Sequence, residues 1–557
     1  MSLLESMNDD LVDVIAGFLR GRMVASASVG VRSWARLRDN QRFWYGRCCA
    51  EQKLAGWAFE DAECWRSAYA RLTGPVRSGR WVAGPFRRHG LEDRVAAPQL
   101  FASRYGGALY NYGGWTRGGP QTDLRWVASA TVAAAARGAG DAPPLEFAYC
   151  RSAGRPAVNG GAQTLTPLWT AGGAGAPSDG YAAGCLRRGG GEDVGAALSL
   201  VVAYGGGGGG YRHEHNDWAV GVLEEPRAGG ALEEPRVRWV RAGGAAGDEF
   251  RERWAPRPPA DGEPLPRCAH SGTYVPSRCF AAGLFEEGCV VFFGGHSANT
   301  AVTLAAAQFL DVKTWTWLAA RDDGVAEGDV APRARHGHSA SLYEAPEGAY
   351  LIFAGGGEGI ILDDPRECVD ASDAQALFLG DVSLDAGAVE GLEWLPVVDL
   401  RHESYAPGRH HTAAPVGEAQ VALYGGGHRP DGALVRLDLG AVVAAGRRPA
   451  PPRSVDLVDV DGGRAAPKPT PRKFHAMASL YPKLPLVVVH GGWRYNPHFD
   501  DLWIAAVAPN DGDLGGFREA RRRVRGGPLV AARPGRLPAL FFSIFARLRG
   551  LRRFLRR

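Results

Sequence analysis

A run of apolar, β-prone residues ending in two glycines recurs six times between residues 100 and 510. The copies end at Gly113-Gly114, Gly205-Gly206, Gly294-Gly295, Gly355-Gly356, Gly425-Gly426 and Gly491-Gly492. The strands before them read Leu109 to Tyr112, Leu200 to Tyr204, Val290 to Phe293, Leu351 to Ala354, Val421 to Tyr424 and Val487 to His490. These runs are nearly continuous rather than alternating, so each strand needs cover on both faces. The paired glycines allow positive φ and a close backbone approach where the strand ends. An internal repeat of this kind restricts the fold more tightly than local propensity does.

Several copies carry more of the unit. Upstream lie Pro276-Ser277-Arg278, Arg333-Ala334-Arg335-His336, Pro407-Gly408-Arg409-His410 and Pro471-Arg472-Lys473-Phe474-His475. Downstream we expect aspartate-led strands, Leu310-Asp311-Val312, Leu437-Asp438-Leu439 and Asp500-Asp501-Leu502-Trp503, and closing tryptophans at Trp239, Trp315 or Trp317, and Trp394. The unit resembles the kelch repeat, one four-stranded blade of a β-propeller. That resemblance implies a mainly β chain whose blades bury their faces against one another. The 77 glycines and 37 prolines suit many short strands and tight connections.

Between successive double glycines lie 92, 89, 61, 70 and 66 residues. A bare blade needs about 40–50 residues. We therefore expect six blades with long insertions, rather than seven, and place loops at 155–178 and 224–267. A closed ring needs its ends joined, since an unpaired edge invites aggregation. Arg80–Phe86, with Trp81, is the expected strand to complete the last blade beside Leu502–Val507.

Proline is absent from residues 1–74, and here the apolar spacing is helical. Leu11, Val14, Ile15, Phe18 and Leu19 fall at i, i+3, i+4, i+7 and i+8. Asn8, Asp9 and Asp10 suit the start of that helix and Gly21 its end. A second helix is expected over Met23–Arg38, burying Val24, Val31, Trp34 and Leu37, and a third from Gln41 to about Ala50. Asp10-Leu11, Ile15, Phe18-Leu19, Val31-Arg32-Ser33-Trp34 and Phe43-Trp44 resemble an F-box over about 45 residues. Met7-Asn8 stands where that family has Leu-Pro, and Gly30-Val31 where it has Val-Cys. The expected organisation is an F-box-like α-helical segment at 1–72, a linker at 73–99 holding the closing strand, a kelch propeller at 100–510 and a basic tail at 511–557.

The net charge of +4 conceals an asymmetry. Residues 518–557 hold 13 arginines and one acid, which leaves the rest of the chain at net −8. An acidic body is not a nucleic-acid clamp, and no nucleic-acid partner is expected. In the tail, Leu537, Leu540, Phe541, Ile544, Phe545, Leu548, Leu551 and Leu555 share a helical face beside arginines. Such a segment suits an anionic membrane surface, an acidic partner, or the chain's own acidic body. Nine cysteines without regular spacing, an acidic N-terminus and no long apolar run point to reduced thiols in the cytoplasm or nucleus.

No catalytic residue, metal ligand or cofactor is assigned. Gly205–Gly210 lacks the Lys-Ser/Thr and the helix of a phosphate loop. His213-Glu214-His215 reads as an exposed turn, and the histidines before kelch strands read as part of the blade. The two resemblances imply a substrate-recognition subunit of an SCF-type cullin-RING ubiquitin ligase. Its Skp-type adaptor, which joins it to the cullin scaffold, would meet Leu11, Val14, Ile15, Phe18, Leu19, Val24 and Trp34. An unidentified protein substrate would meet the propeller, with Arg278, Arg335, Arg409 and Arg472 as candidate contacts. For those arginines the competing assignment is hydrogen bonding inside the blade. The competing function is a kelch scaffold with no ubiquitin role.

Overall fold

The computed structural model describes residues 37, 40–51, 69, 76–86, 97–104, 107–116, 119–137, 145–153, 164–169, 182, 185, 197–208, 213–214, 218–226, 234–240, 266–281, 283–297, 302–321, 330–359, 369–385, 387–400, 405–417, 419–426, 433–447, 455–460, 468–480, 484–494 and 499–508. Their strands form a six-bladed β-propeller. From the axis outward, blade 1 is Gln99–Ala102, Ala108–Tyr112, Leu124–Ala128 and Ala148–Tyr149. Blade 2 is Thr164–Pro167, Ala197–Tyr204, Trp218–Glu225 and Arg236–Val240, with Arg151–Ala153 added in parallel outside. Blade 3 is Ser271–Val275, Cys289–Phe293, Ala307–Asp311 and Trp317–Ala319. Blade 4 is Ser339–Ala345, Gly348–Ala354, Asp373–Phe378 and Glu393–Trp394. Blade 5 is Thr412–Gly417, Gln420–Tyr424, Val435–Asp438 and Val458–Asp459.

Blade 6 closes the ring. Ala476–Ser479, Leu486–His490 and Leu502–Ala508 are completed by Ser78–Phe86, antiparallel to Leu502–Ala508. The closing strand is thus the segment expected from Trp81, two residues longer at its start. Trp81 is buried edge-on against Tyr424 of blade 5, with centroids 5.5 Å apart. Each innermost strand contacts those of both neighbouring blades, so the circle is continuous.

The core is divided among the seams. Six clusters of buried side chains fill the six gaps between blades, one each. In the seam of blades 3 and 4, for example, Val291 and Phe293 meet Leu351 and Phe353. Second strands are buried along their length because alternate residues face opposite seams. Burying each Val, Leu or Phe contributes about 1.5–3 kcal/mol.

Two helices absorb part of the extra length, Ser129–Arg137 and Leu439–Gly446. The second corrects the sequence reading of Leu437-Asp438-Leu439 as a strand. Val435–Asp438 is the strand, and Asp438 caps the helix by accepting from Ala441 N–H at 3.0 Å. Asp311 ends its strand instead, accepting from Lys313 N–H at 3.0 Å. In the N-terminal segment the described helix is Gln41–Glu51. Asn40 Oδ1 caps it at Phe43 N–H, 3.1 Å, and buried Trp44 donates from Nε1 to the Leu37 carbonyl at 2.8 Å. The two earlier helices expected in that segment lie outside the described residues.

The double glycines are where blades touch most closely. Gly294 has φ +65°, and a Cβ there would stand 2.3 Å from the Arg335 carbonyl of blade 4. We predict that Gly294→Ala destabilises the fold by about 3 kcal/mol, combining left-handed strain with that clash. Gly283→Ala, also at positive φ but in open space, should cost only about 1 kcal/mol. Denaturant titration of both variants checks the contrast; equal losses would remove the inter-blade explanation.

Candidate functional site: the axial cavity and its polar belt

At the double-glycine end of the channel, the residue two positions before the inner strand has left-handed backbone in five blades: Ala97, Ala269, Gly337, His410 and Phe474. Their amides form a directed chain around the axis. Gly337 N–H donates to Ala269 O at 2.8 Å, His410 to Gly337 at 2.7 Å, Phe474 to His410 at 3.3 Å and Ala97 to Phe474 at 2.7 Å. His410 and Phe474 stack with centroids 3.6 Å apart.

One residue further on lies a histidine belt. The pairs are Thr164 Oγ1 with His270 Nε2 at 2.9 Å, Ser271 Oγ with His338 Nε2 at 2.8 Å, Ser339 Oγ with His411 Nε2 at 2.9 Å, and Thr412 Oγ1 with His475 Nε2 at 2.6 Å. Every pair joins one blade to the next. His411 Nδ1 faces the Gly408 carbonyl at 2.8 Å, so Nδ1 carries the proton. Neutral His411 then accepts at Nε2 from the Ser339 hydroxyl. Burial holds His270, His338, His410 and His475 well below the ordinary histidine range, and brings His336 down to about 3 and His411 to about 4.

Arginines brace the belt from behind. Arg267, Arg335 and Arg472 each donate from Nη1 at 2.9 Å to the carbonyl of the first glycine of their own blade, Gly294, Gly355 and Gly491. Each guanidinium also meets a side chain on the third strand or just before it: Gln308 Oε1 at 2.6 Å, Asp373 Oδ1 at 3.1 Å, and Asp501 Oδ2 at 3.1 Å. In blade 5 Gly408 occupies the arginine position, and Tyr405 O–H donates to Gly425 O at 3.0 Å in its place. Arg409 turns away to Asp370, Nε to Oδ1 2.6 Å.

These contacts place the four arginines singled out from the sequence. Arg335, Arg409 and Arg472 are buried and committed to internal partners, which is the alternative weighed against ligand binding. Arg278 does not belong to the repeated element. It lies just past the inner strand of blade 3, at the opposite end of the channel, and Arg267 is its blade's bracing arginine. The signal available in the sequence was Arg-x-x-His, shared by Arg267/His270, Arg335/His338 and Arg472/His475. Leu11, Val14, Ile15, Phe18, Leu19, Val24 and Trp34 lie outside the described residues.

Inside the ring is a cavity of about 1180 Å³, lined by the inner strands of all six blades. Among the described residues, its charged lining outside the neutral belt is Arg278, Glu344 and Asp438. Arg278 spans from blade 3 to blade 4 and grips Glu344 with both edges of its guanidinium, Nε to Oε2 at 2.8 Å. Both side chains are about a third or more exposed, at 32% and 43%. The cavity therefore has a polar, solvent-facing end at Arg278–Glu344 and an end braced by the belt. No family model matches the chain, and no curated protein matches it.

Arg335→Met leaves the buried Gly355 carbonyl without this donor and Asp373 with Arg333 as its cation, and should cost about 2 kcal/mol, whereas Arg278→Met should change stability by under about 1 kcal/mol; denaturation curves read the difference. The belt also sets an acid limit. Its histidines bind protons more readily unfolded, so stability is full above about pH 6.5 and falls as pH drops toward their lowered folded values, about 4 for His411. Each histidine contributes at most about 1.4 kcal/mol per pH unit in that window. Melting temperature between pH 7 and 4.5 should fall less steeply for His411→Gln than for the wild type.

Proposed function

We propose that this chain is the substrate-recognition subunit of an SCF-type cullin-RING ubiquitin ligase. The kelch-like propeller holds the target protein, and the F-box-like segment at 1–72 docks on the Skp-type adaptor. The observation that carries the binding half is the division of labour in the ring. The repeated polar side chains of the belt are spent on joining blades, which leaves the connecting loops and the Arg278–Glu344 mouth to meet a partner. A rigid ring presenting variable loops suits protein recognition. The adaptor half is supported by the helical spacing of Leu11, Ile15, Phe18 and Leu19 and by the capped Gln41–Glu51 helix around Trp44. The receptor performs no bond chemistry; it raises the local concentration of target beside the charged E2. Cytoplasm and nucleus are the compartments in which it would work.

Co-purification of the full chain with the Skp-type adaptor tests this reading. The wild type should retain the adaptor, and Ile15→Glu with Phe18→Glu should lose it while the propeller stays folded. Failure of the wild type to retain any adaptor would favour a kelch scaffold without a ubiquitin role. Deleting 537–557 and measuring liposome flotation then decides whether such a scaffold is held at anionic membrane.

A further inference from the structure

The seam between blades 1 and 2 is built differently from its neighbours. A carboxyl group lies buried in it. Glu225, at the end of Trp218–Glu225, is 5% exposed. Across the seam Tyr110, fully buried in Ala108–Tyr112, donates its phenol proton to Glu225 Oε1 at 2.9 Å. Tyr110 is fixed by stacking on Phe101, with centroids 5.2 Å apart. Glu225 Oε2 has no hydrogen-bond partner.

The groups around this carboxyl are few. From blade 1 come the Tyr110 phenol, the Ser103 hydroxyl and Arg104, whose Nη1 also donates to the Leu198 carbonyl at 3.3 Å. Cys150, likewise buried, faces it as a neutral thiol. On the next strand Arg238 is taken by Glu224, at 2.5 Å, and Arg236 lies opposite Glu224 in the register. Asp123 and Glu234 act on the Cys150 thiol, raising it further, and are paired with Arg125 at 2.9 Å and Arg151 at 3.3 Å. Burial outweighs the phenol, the hydroxyl and Arg104, and raises Glu225 from 4.5 to about 7.

We propose that Glu225 and Tyr110 form a pH-sensitive latch between blades 1 and 2, tight while the carboxyl is protonated and loosened once it ionises. A neutral acid accepts the phenol hydrogen bond without a buried charge. The carboxylate keeps that bond but stands desolvated in an apolar seam, and opening the seam returns it to water. The direction is fixed by proton counting. The closed seam binds the proton more tightly than the open one, so the latch is fully set below pH 4.5 and is lost as pH rises toward 7. This is opposite to the histidine belt, which acid weakens.

Hydrogen exchange of the full chain between pH 5 and 8, corrected for intrinsic rates, reads the opening of peptides covering 108–112 and 218–225. In the wild type, opening should rise about tenfold per pH unit and level off above about pH 7.5. Glu225→Gln keeps the shape and the acceptor oxygen without the charge, so its opening should be flat across that range. Tyr110→Phe removes a bond that favours the carboxylate and should move the levelling-off to higher pH. Equal pH profiles for wild type and Glu225→Gln would overturn the latch, as would a Tyr110→Phe profile that levels off at the wild-type pH.

Discussion

Blades 2 to 5 are each joined to the next where a glycine lacks a side chain. At Gly205, Gly294 and Gly425 the vacant Cβ position is filled by the carbonyl of the next blade's arginine and by the Cε1 edge of its histidine. The second glycine then donates to that carbonyl: Gly206 to Arg267 at 2.9 Å, Gly295 to Arg335 at 2.9 Å and Gly426 to Arg472 at 3.0 Å. The histidine ring completes the joint by meeting a hydroxyl of the preceding blade. Sheet packing supplies most of the stabilisation, but it is non-directional. The polar joint fixes the angle between blades, and a constant angle is what lets six sheets close.

Closure then explains the location of the first propeller strand. A ring assembled only from 99–508 would leave Leu502–Ala508 as an open edge. Ser78–Phe86 covers it and carries Trp81 into the seam with blade 5. Residues more than 400 positions apart thus share one sheet, as Trp81 paired with Ala505 demonstrates. Loop-closure entropy rises only slowly with length, so such a long-range pairing is thermodynamically cheap once the other five blades stand.

The parts legible in the sequence were those set by backbone geometry. Double glycines and continuous apolar strands mark the second strand of every blade, and the blade number comes directly from them. Side-chain roles were less legible because the inner strand is bracketed by similar residues. Arg267-Cys268-Ala269-His270 precedes it and Pro276-Ser277-Arg278 stands after it, and spacing alone does not tell the brace from its imitation. In blade 5 the brace moved to Tyr405 and Arg409 was released to Asp370, an exchange invisible to spacing. Asp438 and Asp311 look alike in sequence, yet one starts a helix and the other a turn. After Asp438 the run Ala441–Ala445 favours helix, whereas after Asp311 the pair Lys313-Thr314 folds back onto its carboxylate. Ser129–Arg137 was unmarked because its alanines carry no strong helical stripe.

A buried, conspicuous polar residue is commonly read as a binding group, and this ring shows why the inference needs geometry. Arg335 and Arg472 have the charge and repetition of ligand contacts, yet each is spent on a glycine carbonyl and an aspartate. Had they faced a ligand, those carbonyls would have lost their donors in a desolvated site, costing more than most surface contacts return. Arg278, outside the repeat and partly in water, carries no such obligation. Its ion pair with Glu344 is partly in water, so losing it costs the ring little. Repetition in this propeller therefore marks the joints between blades rather than contacts to a ligand.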